Sequence, residues 1–384
     1  MQYDFDRVID RRHSDSIKWR YYDPEALPLW VADMDFVSPE PVLRALQERV
    51  AHGVFGYGCE PAELREVIVE RLMRLYGWQV SPEAVVFLPG VVVGFNLACQ
   101  ALARPGEGVI IQTPVYMPFL TAPANAGLRR DSMELTRRPD GYYIVDFDRF
   151  EAAIQPTTRT FLLCSPHNPV GRVFSRKELE QMAEICLRRN MIIISDEIHC
   201  DLLFSGVQHI PTASLDPEVA ERTITLMAPS KTYNIAGLEC SFAIIQNAAL
   251  RKQFQAARRD LVGTVNLLGF VAALAAYREG HEWLEQCLAY LEKNRDFLAQ
   301  YVAERLPGIS MSPMEGTYLA WLDCRQAGIP GNPFAFFLRE AKVALNDGPT
   351  FGPGGEGFVR LNFACPRSIL TQALDRMRVA LLKR

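Results

Sequence analysis

Apolar and polar positions follow two rhythms along this chain. From about Pro39 to Tyr76 apolar residues recur at helical spacing, broken by the glycine cluster Gly53-Val54-Phe55-Gly56-Tyr57-Gly58. From Ala84 onward short, continuously apolar runs alternate with amphipathic stretches. Ala84–Leu88, Gly108–Gln112, Thr160–Cys164, Met191–Ser195 and Thr223–Met227 read as strands. Val92–Ala103 and Arg176–Arg189 read as helices, the second with Ser175 as its N-cap. Strands that are apolar on both faces and separated by helices imply a parallel sheet covered on both sides. Beyond Leu250 helical spacing dominates, over Leu250–Asp260, Leu267–Glu279 and Glu282–Ala303, and from Ile309 short strands and helices mix. The pattern predicts a large α/β domain over residues 45–280. A smaller α+β domain is expected from both chain ends, 1–44 and 281–384.

A chain of 384 residues exceeds the size at which one hydrophobic core stops growing, which agrees with two units. Net charge is −4 with both signs mixed throughout, so no basic tract offers itself to nucleic acid or an anionic membrane. The first residues alternate charge and lack the apolar stretch of a secretory leader. The most apolar later run, Leu267 to Tyr277, is too short to span a bilayer. Nine cysteines without a CxxC pair favour reduced thiols in a cytoplasmic protein over a disulfide framework or a metal site.

In open α/β sheets, ligands collect beyond the carboxyl ends of the strands. The residues that follow each apolar run are therefore the candidates. They are Pro89-Gly90-Val91-Val92, Thr113-Pro114-Val115-Tyr116, Ser165-Pro166-His167-Asn168-Pro169-Val170-Gly171, Ser195-Asp196-Glu197-Ile198-His199 and Ala228-Pro229-Ser230-Lys231. Singly, each has a plainer reading: Asp196 and Asn168 as turn formers, Tyr116 as cover for the sheet edge, His199 as a core histidine, Lys231 as a solvated charge. Together they place a glycine turn at a helix start, suited to phosphate, beside an aromatic, an amide, a carboxylate and a lysine.

These segments, with Trp30-Val31-Ala32-Asp33-Met34-Asp35-Phe36, Phe55-Gly56-Tyr57, Lys231-Thr232-Tyr233-Asn234-Ile235-Ala236-Gly237 and Val359-Arg360-Leu361-Asn362-Phe363, resemble fold-type I pyridoxal-phosphate enzymes. Within that group the tryptophan-to-phenylalanine segment and Ser-Pro-His-Asn-Pro resemble the cystathionine/cysteine C–S β-lyases of the class I/II aminotransferase superfamily. The resemblance runs from about residue 3 to the C-terminus. It implies a seven-stranded, mostly parallel sheet between helices, a smaller α+β domain, and a homodimer.

The resemblance also implies roles. Lys231 anchors pyridoxal 5'-phosphate and acts as general base, Asp196 pairs with the pyridine nitrogen, and Asn168, with His199 nearby, faces the ring hydroxyl. Tyr116 covers the ring face. Gly90, Val91, Val92 and Ser230 hold the phosphate, and Tyr57 reaches it from the neighbouring subunit. Arg360 clamps the substrate carboxylate, and Trp30, Ala32 and Asp33 complete the substrate side. Met34 and the flexible stretch Gly348–Gly357 are expected at the entrance, and Met117 stands where some relatives carry a second tyrosine or a polar residue. One position departs from many aminotransferases: the arginine eight residues past the lysine is here Glu239. The implied reaction is α,β-elimination from a sulfur amino acid, cystathionine or another cysteine S-conjugate, to a thiol, pyruvate and ammonia. An aminotransferase shares all steps up to the carbanion. A non-catalytic ligand-sensing module is the remaining reading, and Lys231, Asp196 and Arg360 occurring together argue against it.

Overall fold

The computed structural model describes residues 1–102 and 104–383. Its centre is a seven-stranded sheet of β1 (Val85–Leu88), β2 (Gly108–Thr113), β3 (Arg129–Glu134), β4 (Thr158–Cys164), β5 (Ile192–Asp196), β6 (Thr223–Met227) and β7 (Ser241–Ile244). The spatial order is β1-β7-β6-β5-β4-β2-β3, and only β7 runs against the rest. This is the mostly parallel, doubly covered sheet that the apolar runs imply. All five expected strands are present, shifted by a residue or two. Two strands were not among those expected. The edge strand β3 (Arg-Arg-Asp-Ser-Met-Glu) exposes four of its six residues to solvent, as a sheet edge with charged side chains does. The other, β7, is only four residues long.

The helix after β1, α1, spans Val91–Leu102; its expected last residue, Ala103, lies outside the described residues. The helix Arg176–Arg188 begins with the capping box expected of Ser175, completed by the Glu178 side chain. The glycine cluster separates the helices Glu40–Ala51 and Ala62–Tyr76. The helix expected over Leu250–Asp260 is found at Ala248–Ala256, and Arg259 and Asp260 beyond it take positive φ.

A second, antiparallel sheet is built from β8 (Ser310–Met311), β9 (Leu319–Asp323), β10 (Asn346–Asp347) and β11 (Phe358–Asn362), in the order β8-β9-β11-β10. The chain's N-terminal part contributes Leu27–Pro28, which pairs in parallel with Val343–Ala344 as a separate two-stranded sheet. One buried cluster runs from Phe5 and Phe36 through Trp283 to Phe363, so the second sheet and the back of the first share a core. Gly348–Gly357, expected to be flexible, is instead compact. Gly348–Phe351 forms a 3-10 turn, Phe351 is buried against Trp321, and a Cβ on Gly348 would collide with the Gly355 and Phe358 carbonyls.

Candidate active site

The carboxyl ends of β1, β2, β4, β5 and β6 open on one cavity of about 440 Å³. Every residue that the sequence nominates borders it except Tyr57, Asp33 and the buried Met34. Tyr57 is fully exposed, in the irregular stretch between the two helices. The Asp33 carboxylate turns aside, pairing with Arg11 at 2.7 Å and Lys18 at 3.3 Å. Lys18 itself is wholly buried and also bonds Asp35 at 2.7 Å. The Asp33 carboxylate is thus engaged by two cations of the N-terminal stretch rather than turned into the cavity. The stretch Gly348–Gly357 does not border the cavity either, whereas Asn346, just before it, does.

Lys231 lies on the short helix Pro229–Thr232 after β6, and its Nζ donates to the Ala32 carbonyl at 2.7 Å. Burial draws the amine down to about 8; Asp33 opposes the fall, Arg360 adds to it, and Asp196 opposes it. Asp196 ends β5, and its Oδ1 accepts from the Ile198 N–H at 3.1 Å. Burial lifts this carboxyl to about 7 against that hydrogen bond, helped by the neighbouring Glu197 charge. Among the described residues Asp196 has no cationic partner within ion-pair distance. Glu197 faces the other way, fully buried, and accepts from Ser195, Thr212 and His209.

Burial holds His199 down to about 3, hence neutral, and its Nδ1 is buried without a partner among the described residues. Tyr116 follows β2 and its N–H bonds the Asn168 carbonyl at 3.1 Å. The Asn168 side chain accepts from Arg360 Nη1 at 3.0 Å, and Arg360 Nη2 donates to the Trp30 carbonyl at 2.9 Å and to Asn346. Burial lowers the guanidinium to about 10. It meets no carboxylate among the described residues, and its Nε is unpartnered.

At the opposite end of the cavity α1 starts directly after Gly90, so its first-turn N–H groups point outward with the positive end of the dipole. A Cβ on Gly90 would meet nothing within 4 Å. The glycine leaves open space, and no packing within the protein requires it. Ser230 and Glu239 border the same region.

Sequence reasoning missed what holds Trp30–Phe36 in place. This irregular stretch has its carbonyls taken by distant side chains. Asn362 donates to Val31 at 2.6 Å and to Asp33 at 2.7 Å, and Asn234 donates to Met34 at 3.0 Å and Phe36 at 2.9 Å. Tyr318 donates to Ala32 at 2.9 Å. Asparagines within otherwise apolar runs were the available signal.

The donor set fits a phosphorylated pyridine aldehyde. A buried carboxylate without a cation suits a protonated ring nitrogen, a buried amine near neutrality suits an aldehyde, and a helix start with open space at Gly90 suits a phosphate. A buried arginine without a carboxylate suits an α-carboxylate. An arrangement of this kind defines an enzyme that works on an amino acid at the carboxyl edge of a doubly wound sheet. The family model for aminotransferase class I and II matches residues 26–377, and the chain belongs to that family.

Cystathionine beta-lyase PatB of Bacillus subtilis is 38% identical, over 98% of this chain and 99% of the relative. The solved structure of a protein named OvoB is 46% identical with a TM-score of 0.95, covering all of both chains. The pyridoxal-phosphate-bound C–S lyase of Staphylococcus hominis is 35% identical with a TM-score of 0.94, covering 100% of this chain and 99% of the other. Among the described residues no helix is long and apolar enough to cross a membrane.

Proposed function

We propose that this protein is a pyridoxal-phosphate-dependent C–S β-lyase. It cleaves cystathionine or a related cysteine S-conjugate to a thiol, pyruvate and ammonia. The observation that carries the reading is the meeting of a near-neutral lysine, an unpaired carboxylate and an unpaired arginine around one cavity. The names of the B. subtilis and S. hominis proteins supply the reaction type.

The bound cofactor supplies an electron sink for the substrate Cα. Lys231 anchors it, and as a free amine takes the Cα proton on Nζ; a value near 8 leaves a useful unprotonated fraction at neutral pH. Asp196 keeps a proton on the pyridine nitrogen. Arg360 grips the α-carboxylate, its plane fixed by Asn168 on one side and the Trp30 carbonyl on the other. As the Cα–H and Cβ–S bonds break, sulfur leaves with the electron pair of its bond as a thiolate. The remaining unsaturated amine is hydrolysed to pyruvate and ammonia. Asn168 and neutral His199 serve the ring hydroxyl, and Tyr116 provides the aromatic surface for the ring. The start of α1 and the Ser230 hydroxyl hold the phosphate. Trp30 and the Ala32 backbone form the substrate side.

The protein works as a homodimer in which Tyr57 completes the neighbouring site. The support is a fully exposed tyrosine beside exposed Val54 and Phe55, an apolar surface on one stretch of chain. Residues 1–44 and 281–384 form the smaller domain against 45–280, a reading supported by the pairing of Leu27–Pro28 with Val343–Ala344. The helix Glu40–Ala51 runs through residue 45, so the division is better drawn at Pro39. Its nine free thiols suit the cytoplasm.

The test is to mix the enzyme with L-cystathionine or an S-alkyl cysteine and no keto acid. Pyruvate and thiol without an acceptor are expected; amino transfer that requires 2-oxoglutarate rejects the lyase in favour of an aminotransferase.

A further inference from the structure

Within Trp30–Phe36 the carbonyls of Ala32, Asp33 and Met34 each accept from two side chains, and Ala32 is the one that takes the lysine of the site: Lys231 Nζ at 2.7 Å and Tyr318 Oη at 2.9 Å. A carbonyl oxygen has two lone pairs, so this one is saturated. Tyr318 is fully buried, and its ring meets His199 edge to face, centroids 6.2 Å apart. It stands immediately before β9, whose Trp321 pairs in register with Arg360 on β11. The same small sheet that presents Arg360 therefore delivers the Tyr318 hydroxyl to the lysine's acceptor.

We propose that the Ala32 carbonyl is the seat of the Lys231 amine whenever that nitrogen is not bonded to cofactor, and that Tyr318 is a positioning residue that weakens the seat's hold on the ammonium form. The inference rests on Lys231 being anchor and base. Two donors on one oxygen share its electron density, and the phenol proton is directed at the same oxygen that Nζ uses. Both effects disfavour a charge there. Without the phenol the carbonyl would hold the ammonium more strongly, and the amine would be slower to become a base. The other groups facing Nζ are Asp33, Asp196, Arg360 and the neutral His199, and Tyr318→Phe substitutes none of them.

The experiment is competitive acetylation with acetic anhydride on cofactor-stripped protein, read by mass spectrometry on the Lys231 peptide across neutral to alkaline pH. In Tyr318→Phe the labelling midpoint should rise by about half a pH unit, the equivalent of one modest hydrogen bond. The acid limb of kcat in the reloaded enzyme should move the same way, with KM little changed. Tyr318→3-fluorotyrosine, a stronger donor in the same shape, should move the midpoint down. An unshifted midpoint in both variants, or shifts of one sign in both, overturns the proposal. Labelling is read without cofactor, so its result is independent of whether pyridoxal phosphate binds, which borohydride bleaching reports separately.

Discussion

Arg360 and Asn168, 192 residues apart in sequence, share a hydrogen bond of 3.0 Å across the cavity. The guanidinium assigned to the substrate carboxylate is thus held by the amide assigned to the cofactor ring. Arg360→Lys keeps the charge but loses the planar fork that spans Asn168, Asn346 and the Trp30 carbonyl. Loss of one charge-assisted hydrogen bond corresponds to roughly a ten- to hundredfold fall in kcat/KM. Asn168→Ala should weaken substrate use in the same direction, because Arg360 loses its restraint. Steady-state kinetics on one S-alkyl cysteine decides it: a KM untouched in both variants would exclude Arg360 as the carboxylate clamp.

Lys231→Ala should end turnover and leave a folded protein. Nζ makes a single hydrogen bond, to Ala32, and Tyr318 still satisfies that carbonyl after the change. The variant should lack the near-visible absorbance that borohydride bleaches. Full activity in Lys231→Ala would remove the chemistry proposed above, and a colourless wild-type protein would revive the sensing module.

The topological part of the site was legible because strand order alone dictates which residues meet at the carboxyl edge. Asp196, Lys231 and Asn168 follow apolar runs, and any parallel packing of those runs brings them together. The structure places Asp33 differently because its partners, Arg11 and Lys18, lie in an N-terminal stretch without periodicity. What Tyr318, Asn234 and Asn362 hold could not be read for a related reason, although the two asparagines stand out in their apolar runs. Their importance arises from contacts with the irregular Trp30–Phe36, and no repeat in sequence encodes the register of a coil against a sheet. Gly348–Gly357 misled by composition: its glycines permit close backbone approach rather than motion.

Asp196 gives the cofactor-stripped protein a distinctive pH dependence. Its folded value is about 7 against an ordinary 3.8, so the folded state binds the proton more tightly than the unfolded chain. Its contribution to stability is fully present below the ordinary value and is lost as pH rises through about 7. Asp196→Asn removes that loss. The stripped variant should therefore melt above the stripped wild type at pH 8, and the gap should close under acid conditions. With pyridoxal phosphate added the order should reverse, since the amide cannot hold a proton on the pyridine nitrogen. Melting curves at two pH values, with and without cofactor, carry the test; equal melting of both stripped proteins at pH 8 would mean that the carboxyl is not desolvated as described.

Glu239 governs the phosphate end. It lies in a left-handed backbone conformation at the close of the 3-10 turn Ala236–Leu238 and borders the cavity beside Ser230 and the start of α1. A carboxylate there repels a phosphate dianion, leaving the helix dipole and N–H groups to hold it. Exposure and salt screen the repulsion, so the penalty is modest, on the order of 1 kcal/mol. Glu239→Gln should therefore tighten pyridoxal-phosphate binding about fivefold at low ionic strength, and Glu239→Arg should tighten it further. Added salt should narrow the difference between wild type and Glu239→Gln, because the repulsion is what salt screens. Spectrophotometric titration of stripped protein with cofactor at two salt concentrations measures both effects. Affinity indifferent to the residue at 239 would place the phosphate away from this end of the cavity.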